Sequence, residues 1–305
     1  MLVNRSTLGA MFTGFNTLFN GAFSGADTYY KKVAMVVPSS GRDETYGWMN
    51  QQSGMREWIG PRVVKNLSLS SYTIKNRKFE DTISVPREDI EDDKYGVLGP
   101  YVAEMGRAAA EHPDQLLAEL LATGFAAACY DGQFFFDTDH PVGDGEQVPV
   151  TSVSNVQAGA GPAWYLLDAS RAVKPLIFQE RAAPKLTPLT KESDENVFLE
   201  DEYLYGVRAR SNAGFGLWQM AFASKDDLTP DNYEAARAAM SAFKGDGGRP
   251  LGIKPNVLLV PPSLEGDGMR LLNNGTRVVT VGGVPVPIQN EWAKTAELIV
   301  SPWLS

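Results

Sequence analysis

The chain has 305 residues, of which 21% are charged and 43% apolar, and its net charge is −9. That length is enough for one large domain or two smaller ones with a full core, and the composition is that of an ordinary globular protein. The acidic balance argues against nucleic-acid binding as the main task, because neutralising phosphates takes an excess of Lys and Arg.

A single cysteine, Cys129, excludes an intramolecular disulfide and points to a reducing compartment. No run reaches the roughly 18 apolar residues of a membrane span. The apolar N-terminus is interrupted by Asn4, Thr7, Thr13, Asn16, Thr17 and Asn20, so it lacks the continuous core of a signal peptide. The expected place of synthesis is the cytoplasm.

Residues 1–50 read as an arm. Leu8, Met11, Phe12, Phe15, Leu18 and Phe19 follow helical spacing and predict a short amphipathic helix. Its apolar face covers either its own domain or a neighbouring subunit, and the pattern leaves both open. Residues 33–37 read as a short strand closed by Pro38 and Gly41.

Residues 61–87 are the most strand-like part. Two arms, 62–69 and 72–85, predict a long ribbon, with a phase change at Asn76, Arg77 and Lys78 that marks a turn or bulge. Such a hairpin is marginal alone. It carries Arg56, Arg62, Lys65, Lys75, Arg77 and Lys78, a basic group in an acidic protein that calls for an acidic partner unless it simply faces water.

The acidic residues Glu88, Asp89, Glu91, Asp92 and Asp93 follow, ahead of a helix whose positive end favours carboxylates. The glycine-containing loop pattern of a cation site is missing there. A helical run covers 97–123, with Leu98, Val102, Met105 and Ala109 as its stripe, and Pro113 predicts a kink or restart. Tyr130, Asp131 and Gly132 signal a turn, and residues 143–162 read as a loop.

From Trp164 the chain is strand-rich. Strands are expected at 164–168 and 175–179. A further antiparallel pair is expected at 203–210 and 216–222, joined through 211–214. Thr229 and Pro230 open a helix with Tyr233, Ala236, Met240 and Phe243 on one face. Residues 257–260 form a short buried strand. A helix with Met269, Leu271 and Leu272 and strands near 278–281, 284–288 and 298–300 close the chain.

No catalytic set assembles from the sequence. His112 and His140 are the two histidines. A Cys129/His140 dyad would need an activated thiolate and an orienting group, whereas Cys129 sits among alanines like a packed core residue. Asp137, Thr138, Asp139 and His140 offer weak metal-ligand spacing, and loop capping by Asp and Thr explains them better. The glycines at 245, 247 and 248 follow a helix and read as its stop, not as a phosphate cradle. No catalytic, cofactor or metal residue is therefore assigned.

Several segments in order resemble the major head subunit of Mu-like bacteriophages, the gpT-type family. They are residues 72–83, Asp92 with Asp93, 130–141, 175–179, 214–219 and 259–262, and the likeness runs from about Tyr46 to the C-terminus. The resemblance implies an α+β fold of the Hong Kong 97-type capsid class. It divides the chain into an N-terminal arm (1–50), an extended β-hairpin loop over an adjacent subunit (54–86), a peripheral domain (87–225) with a long spine helix at 97–123, and an axial domain (226–305). Many capsid proteins of this fold place the axial segment before the last peripheral strands; the order here implies a rearranged connection, with 298–304 close to 164–167.

The implied function is a non-enzymatic shell subunit. It forms hexamers and pentamers of an icosahedral head around double-stranded DNA, without sequence-specific binding and without a membrane. It is assembled in the host cytoplasm with scaffolding, portal and decoration proteins as partners. The candidate contact residues are Arg62, Lys65, Lys75, Arg77 and Lys78 against Glu88, Asp92, Asp93, Glu104 and Glu111. An encapsulin-like compartment shell is the alternative within the fold, and a hydrolase using Cys129 or the 137–140 cluster is the alternative outside it.

Overall fold

The computed structural model describes residues 4–47, 72–92, 94–145 and 148–305. Helix α1 (Arg5–Gly25) is opened by Asn4, whose side chain accepts from the Ser6 and Thr7 amides while Thr7 Oγ1 accepts from the Asn4 amide. A single turn, α2 (Tyr30–Val33), leads into β1 (Ala34–Pro38) and β2 (Asp43–Thr45). Strands β3 (Thr73–Lys75) and β4 (Arg77–Pro86) precede a short helix, α3 (Arg87–Glu91), and a 3-10 turn, Lys94–Leu98. The long helix α4 (Gly99–Thr123) follows. Then come β5 (His140–Val142), β6 (Thr151–Val153), β7 (Val156–Gln157), β8 (Trp164–Leu167), β9 (Leu176–Leu189), α5 (Glu195–Glu200) and β10 (Glu202–Phe215). The chain closes with β11 (Ala221–Ser224), α6 (Pro230–Ala242), β12 (Val257–Val260), α7 (Glu265–Leu272), β13 (Thr276–Val281), β14 (Val284–Gln289) and β15 (Glu297–Val300).

Two sheets organise the molecule. The first runs β1-β9-β10-β4. Its inner face carries Ile83, Val85, Leu186, Tyr203, Tyr205 and Val207, packed against Met11, Phe15 and Phe19 of α1 and Val102 and Met105 of α4. The Phe15 ring meets Tyr205 edge-on at 5.1 Å. The helix predicted in the arm therefore covers its own chain. The contact is close: a Cβ on Gly106 of α4 would lie 2.4 Å from the Phe19 carbonyl oxygen.

The second sheet runs β15-β12-β8-β11-β7. Strands β8, β11 and β12 are buried at every position, as their continuous apolar or small residues require. Helix α6 is capped by Thr229, which accepts from the Asn232 amide at 3.2 Å, and buries Tyr233, Ala236 and Met240 in the same core. Residues 164–167 and 298–304 share this sheet region, with β12 between β8 and β15. The expected domain boundary at 225/226 thus crosses the sheet, since β8 and β11 lie before it and β12 and β15 after it.

Three sequence-based readings change. Residues 72–85 are not one arm of a free ribbon. Strand β3 pairs with β2, and β4 pairs with β10 over ten residues, from Arg77 opposite Ser211 to Pro86 opposite Glu202. The break between them is Asn76, which is buried and donates to Ser39 Oγ (2.8 Å) and the Gly41 carbonyl (3.1 Å) while accepting from Gln179 (2.9 Å). The partner arm at 62–69 lies outside the described residues. Second, α4 passes through Pro113 as one helix of 25 residues. Third, 202–215 is a single strand through 211–214, and β11 belongs to the other sheet. Pairing of Ser211–Phe215 with β9 keeps β10 extended where the Ser-Asn-Ala-Gly composition suggests a turn.

Candidate interaction surface

Of the basic group predicted on the ribbon, Lys75, Arg77 and Lys78 are exposed, and Arg56 lies outside the described residues. Lys75 ends β3, and Arg77 and Lys78 begin β4. The Arg77 guanidinium lies over the Phe79 ring at 5.1 Å, and that ring packs on His112 of α4 at 4.1 Å. Lys75 and Lys78 have no ion-pair partner among the described residues.

Sheet register enlarges the group. Lys78 stands opposite Arg210, Glu80 opposite Arg208, and Arg208 opposite Lys185. Directly opposed residues share a face, as do residues two apart on one strand. Lys78, Lys185, Arg208 and Arg210 therefore lie on one side of the first sheet, the side away from α1 and α4, with Glu80 as the carboxylate among them. Sequence reasoning missed Lys185, Arg208 and Arg210. They come from two strands, β9 and β10, both distant in sequence from Lys78, and only the i, i+2 spacing of Arg208 and Arg210 hints at a shared face.

The acidic candidates are scattered. Glu88 lies in the first turn of α3 and Asp92 just after it, both exposed. Glu104 and Glu111 flank Arg107 on α4, which donates to both; Arg107 Nη1 to Glu111 Oε1 is 2.6 Å and Arg107 Nε to Glu104 Oε2 is 2.9 Å. That pairing holds the Glu104 carboxyl below its ordinary range. The α4 carboxylates expected to await a neighbour's cations are thus engaged within their own helix. Arg62, Lys65 and Asp93 lie outside the described residues.

The chemistry-bearing residues form a clamp. Asp131 accepts from the Cys129 thiol at 3.0 Å and binds His140 Nδ1 at 2.7 Å. The His140 ring stacks on Trp218 at 3.9 Å with an 8° tilt, fully buried. Burial and the Asp131 charge push the Cys129 thiol far above its usual range, and a thiol held protonated is not a nucleophile. The three donor sets lie within 4.8 Å of one another, a spacing one cation can bridge, but they already hydrogen-bond to each other. Asp137 caps its own loop by accepting from the Phe134 and Thr138 amides.

A buried clamp and an exposed basic face belong to a protein that works through surfaces. The profile described as Mu-like prophage major head subunit gpT matches residues 8–304. The chain belongs to that family of Mu-like head subunits. It is 42% identical over 309 residues to the major capsid protein of Escherichia phage Mu, covering 100% of each chain. It is 43% identical over 302 residues to the Mu-like prophage FluMu major head subunit of Haemophilus influenzae, covering 97% of each. Among solved structures it is similar to the procapsid protein of bacteriophage JBD30, with a TM-score of 0.84 and 46% identity over 99% of this chain and 100% of that one. The capsid form of JBD30 gives a TM-score of 0.76 at 32% identity, covering 100% of both chains.

This head-subunit chain is therefore a major capsid protein with the α+β capsid fold, in a family of structural proteins. The full-length likeness to head subunits does not favour the compartment-shell alternative. No helix among the described residues is long and apolar enough to cross a membrane.

Proposed function

We propose that this capsid protein closes into an icosahedral shell around the double-stranded DNA of a Mu-like phage or prophage. Copies meet as hexamers and pentamers through repeated contacts of modest strength. The observation that carries the contact chemistry is the exposed basic group of Lys75, Arg77 and Lys78 in a chain of net charge −9. Cations on one copy and excess carboxylate on the next attract and set register.

The first sheet with α1 and α4 serves as the peripheral domain, and α4 is its spine. The second sheet with α6 and α7 serves as the axial domain, so β8 and β11 move into it. The extended loop is shorter than 54–86, because β4 is built into the peripheral sheet. Scaffolding, portal and decoration proteins are the expected partners; one solved JBD30 capsid is decorated with minor capsid protein trimers.

Charge reversal at the three cations (Lys75→Glu, Arg77→Glu, Lys78→Glu) is the test. Electron microscopy should show no closed shells, while the melting temperature of the monomer stays near that of the parent. Shells formed in normal number would overturn the contact reading.

A further inference from the structure

A cleft of about 470 Å3 lies at the seam between the two sheets. One wall is α4 at Arg107, Glu111 and Asp114. The other is β15 and the residues after it, ending in Trp303. Asp27, Thr28, Tyr29 and Lys32, in the link between α1 and β1, line the cleft between these walls.

The charges in the cleft do not balance. Its two cations are committed: Arg107 to Glu104 and Glu111, and Lys32 to Glu297 at 2.6 Å. Asp27 is exposed and makes no hydrogen bond or ion pair among the described residues. Asp114 is buried, and its carboxylate accepts only from the amides of Tyr29 (3.0 Å) and Tyr30 (2.7 Å). Trp303 offers an indole that is 43% exposed on the rim. Spare negative charge beside an open aromatic ring inside a concave site suits an ammonium or guanidinium group.

We propose that this cleft receives a basic side chain of a second copy of the chain, supplied by Lys75 or Lys78. The proposal rests on the assembly reading above and names the acidic surface that reading requires. Charge complementarity selects this occupant. Lys75 and Lys78 are exposed cations without an ion-pair partner among the described residues, and Asp27 is a carboxylate in the same condition. The outer carboxylates of α4 are poorer receptors, because Arg107 already satisfies them. A donor on one face and a receptor on another make a heterologous contact, the type that repeats around a ring.

The test is a charge swap in the full chain. Asp27→Lys changes an exposed residue that makes no hydrogen bond or ion pair among the described residues, so its melting temperature should stay near that of the parent. Three proteins are compared by electron microscopy and sedimentation: Asp27→Lys, Lys75→Glu with Lys78→Glu, and all three changes together. The first two should lose shells, and the combination should recover most of them. Trp303→Ala should weaken assembly in the same direction. If the lysine reversals block assembly while Asp27→Lys and Trp303→Ala assemble normally, the cleft is not the receptor and the assembly reading stands. If the lysine reversals also assemble normally, that reading falls with it. Loss in both single sets without recovery in the combination would refute the pairing between them.

Discussion

Asp114 is a buried carboxylate whose surroundings set its charge. It is reached by two backbone amides, and the Tyr29 hydroxyl donates to its carbonyl at 3.2 Å and meets Ser301 Oγ at 2.8 Å. Burial is the largest influence and pushes its carboxyl from the ordinary 3.8 up to about 6, with Glu111 and Asp27 adding to the rise against the lowering effect of the amides. The native state therefore holds a proton that the unfolded chain releases between those values. Its stabilising effect is fully present below pH 3.8 and is lost as pH rises through about 6. The swing is on the order of 3 kcal/mol at most, from about 1.4 kcal/mol per pH unit. Asp114→Asn removes the titration. The melting temperature of the parent should gain on the variant between pH 7 and pH 4.5, and two parallel curves would count against the shifted carboxyl.

Among the elements, α1 and α4 make the clearest case. Gly106 lets the Phe19 backbone approach until a Cβ there would sit 2.4 Å from its carbonyl oxygen, whereas a Cβ on Gly14 of α1 would meet nothing within 4 Å. Gly106→Ala should therefore cost about 1–3 kcal/mol through overpacking. Gly14→Ala should add up to about 1 kcal/mol through helix propensity. Denaturant unfolding measures both, and a stabilising Gly106→Ala would mean that α1 is not docked in solution. The same helix pair explains why Pro113 does not break α4. Proline removes one amide bond, but Pro113 and Asp114 are both buried, and Asp114 ties the helix to the start of α2. Packing outweighs the local penalty.

For the whole molecule, the hairpin of β13 and β14 stands apart. Its turn uses Gly282 at φ 60° and Gly283 at φ 83°, the left-handed pair that a tight two-residue hairpin demands. Val278 and Val284 on it are 67% and 60% exposed, and the two strands pair with no others among the described residues. A lone hairpin is marginal in water, so it needs surface from elsewhere. Amides in Thr276–Val281 and Val284–Gln289 should exchange with deuterium rapidly in the free subunit and slowly in the shell. Equal exchange in both states would show that assembly does not cover the hairpin.

Features set by neighbours in the chain were legible from residue order. The Thr229 cap with Pro230, the stripe of Tyr233, Ala236 and Met240, the buried run at 257–260 and the extent of the long helix each depend on spacing within a few residues. The order of the quoted segments also sufficed to reach the family. What failed to show was pairing between distant stretches. Whether β4 floats as a ribbon or borders a sheet depends on β10, some 120 residues later. Lys185, Arg208 and Arg210 join Lys78 only through register, and Cys129 and His140 meet only across Asp131. Periodicity reports which face of an element is apolar, but not which element will cover it. That choice is made when the chain buries its apolar faces together, and it decides where the exposed charges of this capsid protein stand.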